Sequence, residues 1–209
     1  IIISVIEVSF IVFYHFHSGF HRSVVGEYSG AARNWMHGNP IYIIDFVGGF
    51  NYFLQSAILF IPFALFPLRV CILLWLILNV YLLWLSVSLI VKNFKNNSHI
   101  MPRLYLFWMI VWCLGLGFSS LRNGQMNLFI MILTLFVAYS LQRKKDGWVC
   151  FWLNLGLALK PTMIILYLLV LGCKPKIFPK LLLGLIIVMA FPFLTQSPNY
   201  VISQYYDSW

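Results

Sequence analysis

Two cations and three carboxamides interrupt the apolar runs of this chain. Arg122, Asn123, Gln125 and Asn127 lie in one short break, and Lys160 stands directly before a proline in the next. An arginine offers a planar pair of donors that fits phosphate oxygens, and a lysine offers a point charge. Charges placed near a membrane are costly, and they are usually paired or functional. The two breaks together therefore predict a binding site for a phosphate group.

The helices that follow the two breaks are expected to begin at Gln125 and Thr162. Their free N–H groups would then point toward the same anion. The alternative is that Arg122 and Lys160 only extend to lipid headgroups and mark the edge of a membrane. The three carboxamides favour a binding site, because extension to headgroups does not require them.

Long apolar runs position these breaks. The chain has 209 residues, of which 62% are hydrophobic and 9% charged. Six runs carry almost no formal charge, at 69–91, 104–121, 126–141, 147–159, 161–173 and 181–194. An apolar run of about 20 residues crosses a bilayer as a helix, because the helix satisfies its own backbone polar groups. Six runs leave too little polar surface for a soluble protein, so the sequence predicts an all-α, polytopic integral membrane protein.

Basic residues give the orientation of the predicted spans. Three clusters hold nine of the 14 basic residues, namely Lys92, Lys95 and Arg103; Arg143, Lys144 and Lys145; and Lys174, Lys176 and Lys180. Such clusters mark cytoplasmic loops, and two apolar runs separate each cluster from the next. Both breaks, together with residues 196–209, then lie outside. With residues 1–20 as a first outward span, the count is about seven transmembrane helices.

Residues 21–67 form a large extracytoplasmic loop in this topology. Between Glu27 and His37, five residues share one face of a helix: Tyr28, Ala31, Ala32, Trp35 and Met36. The residues Gly38-Asn39-Pro40 are expected to end this helix. The apolar segment Gln55–Phe66 is only about 12 residues long, too short to span. We expect it to be a helix in the outer interface, since a crossing here would put the basic clusters on the wrong side.

Motifs along nearly the whole chain resemble, in order, those of glycosyltransferase family 87. The first are Tyr28-x-x-Ala31-Ala32 and Trp35-Met36-x-Gly38-Asn39-Pro40-Ile41-Tyr42, followed by Asn51-Tyr52, Ala57 to Pro62 and Leu65-Phe66-Pro67. The later ones are Asn123-Gly124-Gln125-x-Asn127, Gly156-x-x-x-Lys160-Pro161 and Tyr205 to Trp209. The match corresponds to about the amino-terminal half of a typical member. We therefore expect residues 1–209 to be one transmembrane domain, and a portion of a longer chain.

The resemblance implies a GT-C fold and an enzyme of the polyprenyl-phosphate-mannose-dependent type. Such enzymes transfer a hexose such as mannose from a polyprenyl-phosphate donor to a hydroxyl of a lipid or glycan acceptor, usually without a metal. It also implies a bacterial inner membrane, with the active site on the extracytoplasmic face and membrane lipids as partners. In this comparison, Arg122, Asn123, Gln125, Asn127, Lys160, Tyr28 and Tyr52 are expected to bind substrate.

The catalytic carboxylate departs from the family pattern. Such enzymes use a carboxylate of the first outer loop as general base, and the family generally places an Asp a few residues before the Tyr28 position. No Asp is present there, so Glu27 and Asp45 are the candidates. The alternative for Glu27 is an exposed acid that stabilises a helix amino terminus. His21 is a further candidate base, and His15 with His17 lacks the further ligands that a metal site requires.

Other classes of function fit less well. The formal net charge is +9, but no basic stripe interleaves with exposed aromatics, as nucleic-acid binding would require. A transporter should show internal repeats and a charge at the middle of the bilayer. We find no such repeat, and Glu7 is the one acid inside a predicted span. A non-catalytic membrane protein, either a transporter or a degenerate transferase, remains the alternative hypothesis.

Overall fold

The structure is a computed structural model, and it describes residue 9 and residues 23–42, 50–95 and 102–208. Within these ranges the chain forms helices and turns without a strand. The helices are α1 (Val25–His37), α2 (Leu54–Ala64), α3 (Leu68–Lys95), α4 (Pro102–Arg122), α5 (Met126–Gln142), α6 (Asp146–Leu159), α7 (Ile164–Cys173), α8 (Phe178–Ala190) and α9 (Pro198–Asp207). The predicted all-α class is confirmed.

Three short 3₁₀ turns accompany α7 and α8. Pro161–Met163 precedes α7, Pro175–Ile177 precedes α8, and Phe191–Leu194 follows α8. Each turn has a proline in its first two positions. Proline lacks a backbone donor but accepts the first turn of a helix, so these residues start or tighten helical turns at the observed places.

The helix predicted between Glu27 and His37 is confirmed as α1, while its place on the outer face stays a prediction. Four residues of its predicted apolar face, Tyr28, Ala31, Ala32 and Trp35, are at most 4% exposed, and Met36 is half-buried. Gly38 ends the helix in the left-handed conformation, with φ of 70°. A glycine adopts this conformation without the penalty that a Cβ would add. Helix α1 packs mainly against α2.

The predicted short segment at 55–66 is also helical, as α2. Its 11 residues span about 16 Å, and most of them are buried. Besides α1, helix α2 contacts α3 and α6. The helix is therefore covered by other elements of the bundle, while its predicted place in the outer interface stays a prediction.

The prediction of seven transmembrane helices is not confirmed. Among the described residues, two segments are long and apolar enough to cross a membrane: the 26 residues Leu68–Asn93 and the 20 residues Pro175–Leu194. Four shorter apolar segments have 10–17 residues, namely Leu54–Ala64, Met126–Gln142, Asp146–Leu159 and Pro161–Cys173. A helix of 17 residues extends about 26 Å, against about 30 Å of hydrocarbon. Breaks at Gly124, Lys160 and Lys174 keep the helices short. The predicted first span, residues 1–20, lies outside the described residues.

Contacts between helix ends define two ends of the bundle. At one end, Asn93 Nδ2 donates to Gln142 Oε1 over 2.8 Å, and the ammonium of Lys174 contacts Asp146 Oδ1 at 2.9 Å. This basic end contains the loops that the sequence assigns to the cytoplasm. The other end contains α1 and both polar breaks, and the candidate site lies there.

Candidate functional site

The turn between α4 and α5 is built around Gly124. The Gly124 N–H donates to the Leu121 carbonyl over 3.2 Å, and the Gln125 N–H donates to the Ser120 carbonyl over 2.8 Å. These two bonds satisfy carbonyls at the end of α4, as in a Schellman motif. Gly124 has φ of 68°, which a glycine adopts readily. The glycine of the motif is therefore explained by the reversal of the chain at this turn.

Helix α1 docks directly on this turn. The Val24 N–H donates to the carbonyl of Asn123 over 2.9 Å, and the Met126 N–H donates to the hydroxyl of Tyr28 over 3.2 Å. A Cβ on Gly124 would lie 2.5 Å from Val25 Cγ2. A side chain at position 124 would therefore push α1 away from the turn.

A tryptophan fixes the other side of the turn. The indole Nε1 of Trp75 donates to the carbonyl of Gly124 over 3.1 Å, and its ring stacks on Phe129 with 5.2 Å between centroids. Trp75 lies in α3 and is 4% exposed. Sequence reasoning missed this residue, because a tryptophan inside an apolar run is indistinguishable from a tryptophan that only packs.

Tyr28 of α1 forms a pair with Tyr52, which lies just before α2. Their hydroxyl oxygens are 3.0 Å apart, and their rings meet edge to face with centroids 5.2 Å apart. Burial, followed by the hydrogen bond with Tyr52, raises the pKa of Tyr28. The Tyr42 hydroxyl donates to the carbonyl of Tyr52 over 2.9 Å. Tyr28 thus holds α1 on the turn, while its expected contact with substrate stays a prediction.

The polar side chains of both breaks form a connected array. Gln125 Oε1 accepts hydrogen bonds from Ser120 Oγ at 3.4 Å and from Asn127 Nδ2 at 3.2 Å. Asn127 Oδ1 in turn accepts a hydrogen bond from Lys160 Nζ. The structure therefore joins the two motifs, which are 33 residues apart. Asn127 is exposed and Lys160 is half-buried, so the array is accessible.

Arg122 belongs to the same turn. Its Nε donates to Asn123 Oδ1 over 3.3 Å, and its side chain is half-buried. Both predicted cations therefore bind carboxamide oxygens of residues 123–127. A carboxamide carries no net charge, so it positions the ammonium of Lys160 without neutralising it.

The local sequence explains the break at Lys160. Helix α6 ends at Leu159, and Lys160 is extended, with φ of −150° and ψ of 126°. A residue before proline is disfavoured in the helical region, so Pro161 enforces this conformation. A Cβ on Gly156 would lie 2.6 Å from Met163 Cε. Gly156 therefore allows the chain after Pro161 to pack back against α6.

The N–H groups at the start of the two helices that follow the breaks are less available to an anion than expected. Helix α5 begins at Met126 rather than Gln125, and the Met126 N–H already donates to Tyr28. After the second break, the 3₁₀ turn at Pro161–Met163 comes before α7, so the helix does not begin at Thr162. An anion at the site would therefore rely on side chains more than on helix termini.

The segment after α8 also reaches this end of the bundle. Trp35 Nε1 donates to Thr195 Oγ1 over 3.2 Å, and Gln196 Nε2 donates to the carbonyl of Trp35 over 2.6 Å. Farther along, the Ile41 N–H donates to Gln204 Oε1 over 2.8 Å. Helix α9 itself contacts α1 through the rings of Tyr200 and Trp35, whose centroids are 5.3 Å apart.

Glu27 is the one candidate base within the described residues. Glu27 is exposed in the first turn of α1, directly before Tyr28. The hydrogen bonds that join Tyr28, the turn and Lys160 do not include Glu27. Asp45 and His21 lie outside the described residues. The catalytic roles of Glu27 and Asp45 therefore stay predictions.

Comparison with known proteins gives the family. The family model described as Glycosyltransferase family 87 matches residues 50–209, which is more than half of the chain. No curated protein and no solved structure matches. The matched region contains the turn at Asn123–Asn127 and the break at Lys160-Pro161. The chain belongs to glycosyltransferase family 87, and it is a glycosyltransferase by that membership.

Proposed function

We propose that this protein transfers a hexose, such as mannose, from a polyprenyl-phosphate donor to a hydroxyl of a lipid or glycan acceptor. The donor phosphate lies beside Lys160 and Arg122. Its tail lies in the bilayer of a bacterial inner membrane, and the reaction takes place on the extracytoplasmic face. The protein is a polytopic helical bundle of the GT-C type.

The observation that carries this proposal is the array that joins Lys160 to the turn at 122–127. Its carboxamides hold the Lys160 ammonium in place, yet they leave its charge for a ligand. The guanidinium of Arg122 starts from the same turn. Two cations on neighbouring breaks fit a phosphate monoester or diester, which binds best to charged donors.

The chemistry requires one bond to form and one to break. The acceptor hydroxyl oxygen attacks the anomeric carbon of the sugar, and the bond from that carbon to the phosphate oxygen breaks. The polyprenyl phosphate leaves with the electron pair, and Lys160 and Arg122 stabilise its added negative charge. The hydroxyl proton passes to a carboxylate, for which Glu27 is the first candidate and Asp45 the second.

The proposed orientation follows from charge. The basic end contains Lys174 and Lys176, and such loops remain in the cytoplasm. The Lys160 array lies at the opposite end, with α1 and α9. In the proposed orientation, a donor in the outer leaflet and an acceptor in the aqueous space can both reach the site.

Donor binding tests the proposal directly. The purified protein is titrated with a polyprenyl-phosphate hexose, with Lys160→Ala, Arg122→Ala and the exposed control Lys176→Ala compared to the parent. Loss of a charge-assisted hydrogen bond costs about 1.5–3 kcal/mol, so each site variant should bind roughly 10- to 150-fold more weakly. Lys176→Ala should bind normally. Unchanged affinity in both site variants, with folding intact, would reduce these residues to markers of the membrane boundary.

A further inference from the structure

An apolar groove runs along the outside of the bundle between α6 and α8. It has a volume of about 540 Å³, in the range of about 300–1,000 Å³ that is usual for ligand sites. Along α6 it extends from Gly147 to Ala158, a distance of about 16 Å. On α8, the lining residues Leu183 and Ile187 are about 60% exposed. The groove has the dimensions and the surface of a site for one hydrocarbon chain.

The floor of the groove depends on a glycine. Asn154 lies on α6 and Gly184 on α8, and a Cβ on Gly184 would overlap the amide group of Asn154. The Asn154 Nδ2 donates to the carbonyl of Cys150 over 2.8 Å, and its Oδ1 is buried. The two helices approach each other closely at this point and form the floor of the groove. Asn154 contributes little polar surface to this floor.

A lysine stands at one mouth of the groove. Lys180 is exposed, and it is the one charged residue among the described residues that line the groove. Between residues 92 and 206 the sequence contains a single acid, Asp146, and Asp146 is bound to Lys174. The Lys180 ammonium is therefore a cation without a carboxylate partner in the described part of the basic end.

We propose that this groove binds one acyl chain of an anionic glycerophospholipid, whose phosphate contacts Lys180. The position of the charge selects this occupant. A donor with its phosphate at Lys160 would have its head at the opposite end of the bundle, and Lys160 does not line the groove. Basic pockets between helices on the cytoplasmic side of membrane proteins bind anionic headgroups. The groove reaches Ala158 at the end nearer to Lys160, and the proposed phosphate contact lies at the other end, with Lys180.

The test uses phosphatidylglycerol and phosphatidylcholine with the same acyl chains. Each lipid is titrated into the purified full chain in detergent, and native mass spectrometry counts the bound molecules. The parent should bind phosphatidylglycerol more tightly than phosphatidylcholine. One basic residue near a membrane surface contributes about 1 kcal/mol, so Lys180→Gln should weaken binding of phosphatidylglycerol about fivefold. Lys176→Gln is the matched control, because Lys176 is exposed at the same end and does not line the groove.

A second pair of variants tests the groove itself. Gly147→Phe fills the mouth of the groove, and a Cβ at this position meets no atom within 4 Å, so the fold should be kept. Gly172→Phe is the control, because Gly172 is equally open and lies outside the groove. We expect Gly147→Phe to remove the bound phosphatidylglycerol and Gly172→Phe to retain it.

Three results would overturn the proposal. Equal losses in Lys180→Gln and Lys176→Gln would indicate diffuse attraction to the basic surface. Binding of phosphatidylglycerol that is insensitive to Gly147→Phe would place the lipid outside the groove. Binding of a polyprenyl phosphate that is lost in Gly147→Phe, with no specific phosphatidylglycerol, would assign the groove to the donor chain. None of these measurements depends on sugar transfer, so the proposed function is tested separately.

Discussion

The hydroxyl of Tyr28 accepts a hydrogen bond from the backbone N–H of Met126, with 3.2 Å between oxygen and nitrogen. This bond joins helix α1 to the first residue of α5, 98 positions later in the chain. The same hydroxyl also bonds to the hydroxyl of Tyr52. The side chain of Tyr28 therefore links α1 and the segment before α2 to the turn that contains the carboxamides.

Tyr28→Phe should destabilise the protein. The substitution retains the ring but leaves the Met126 N–H, in a buried position, without its acceptor. An unsatisfied buried donor costs about 1–3 kcal/mol, so the midpoint of thermal unfolding should fall by several degrees. Tyr206→Phe is the control, because Tyr206 is 80% exposed and should unfold like the parent. Equal midpoints for Tyr28→Phe and the parent would contradict the positioning role.

Stability should also fall at alkaline pH. Burial raises the pKa of Tyr28 above its ordinary value of 10.0, so above about pH 10 the unfolded chain loses a proton that the folded chain retains. The free energy of unfolding then decreases with pH by at most about 1.4 kcal/mol per unit for each such group. The pKa of Tyr42 and Tyr200 is raised for the same reason. Denaturant titrations between pH 9 and 11 give the free energy of unfolding at each pH. This free energy should decrease less steeply with pH in Tyr28→Phe than in the parent.

Gly124→Ala should separate α1 from the turn. The position has φ of 68°, and the new Cβ would lie 2.5 Å from Val25 Cγ2 and 2.9 Å from Ser23 Oγ. A left-handed alanine alone costs about 1–3 kcal/mol, and the contact adds to this cost. Limited proteolysis should then cut the segment around α1 faster, and thermal unfolding should shift downward.

Gly30→Ala provides the matched control for this substitution. Gly30 is inside α1, and a Cβ there meets no atom within 4 Å. Alanine is favoured over glycine in a helix by about 0.5–1 kcal/mol, so this variant should be as stable as the parent or more stable. A loss of stability in Gly30→Ala as large as in Gly124→Ala would show that α1 tolerates no change, whatever the turn geometry.

The sequence predicted the local elements well, because periodicity and breakers determine them. The buried face of α1 follows from the spacing of Tyr28, Ala32 and Trp35, and its end follows from Gly38. The breaks at Gly124 and Lys160 were likewise visible as polar residues between apolar runs. Each of these features depends on residues close together in the chain.

Contacts between distant segments could not be predicted in this way. The indole of Trp75 and the hydroxyl of Tyr28 bond to backbone groups of the turn that are 49 and 98 positions away. Local residue patterns encode bonds to nearby backbone groups, as in helix caps, but not bonds over such separations. The Met126 N–H illustrates the consequence, since it was expected to face an anion and faces Tyr28 instead. The span count was not confirmed, because four of the apolar segments have only 10–17 residues, fewer than the about 20 residues that usually cross a bilayer as a helix.

Labelling with an impermeant thiol reagent tests the topology. Asn199 and Lys176 are exposed, and they lie at opposite ends of the bundle in the proposed orientation. With the exposed Cys173 replaced by serine, intact cells should label Asn199→Cys but not Lys176→Cys, and permeabilised cells should label both. The serine variant alone gives the background. Labelling of Lys176→Cys in intact cells would show that the basic end faces outward, against the proposed orientation.

Glu27 is the first candidate for the general base. Glu27 is exposed at the start of α1, the helix whose next residue, Tyr28, is bonded to the turn beside the cations. It can therefore meet an acceptor from the aqueous side while the donor phosphate stays at Lys160. Loss of a general base lowers the rate about 10²- to 10⁴-fold, and donor binding does not require it. Glu27→Gln should thus bind a polyprenyl-phosphate hexose normally and transfer the sugar at least about a hundredfold more slowly.

Asp45→Asn is the decisive comparison for this assignment. If Glu27→Gln transfers sugar at the parent rate and Asp45→Asn does not, the base is Asp45. If both variants transfer normally in an active protein, the base is neither of these carboxylates. A loss of donor binding in Glu27→Gln would instead indicate that the acid supports the start of α1, because a base acts on the acceptor proton and makes no contact with the phosphate. Measuring binding and turnover on the same preparation separates these outcomes.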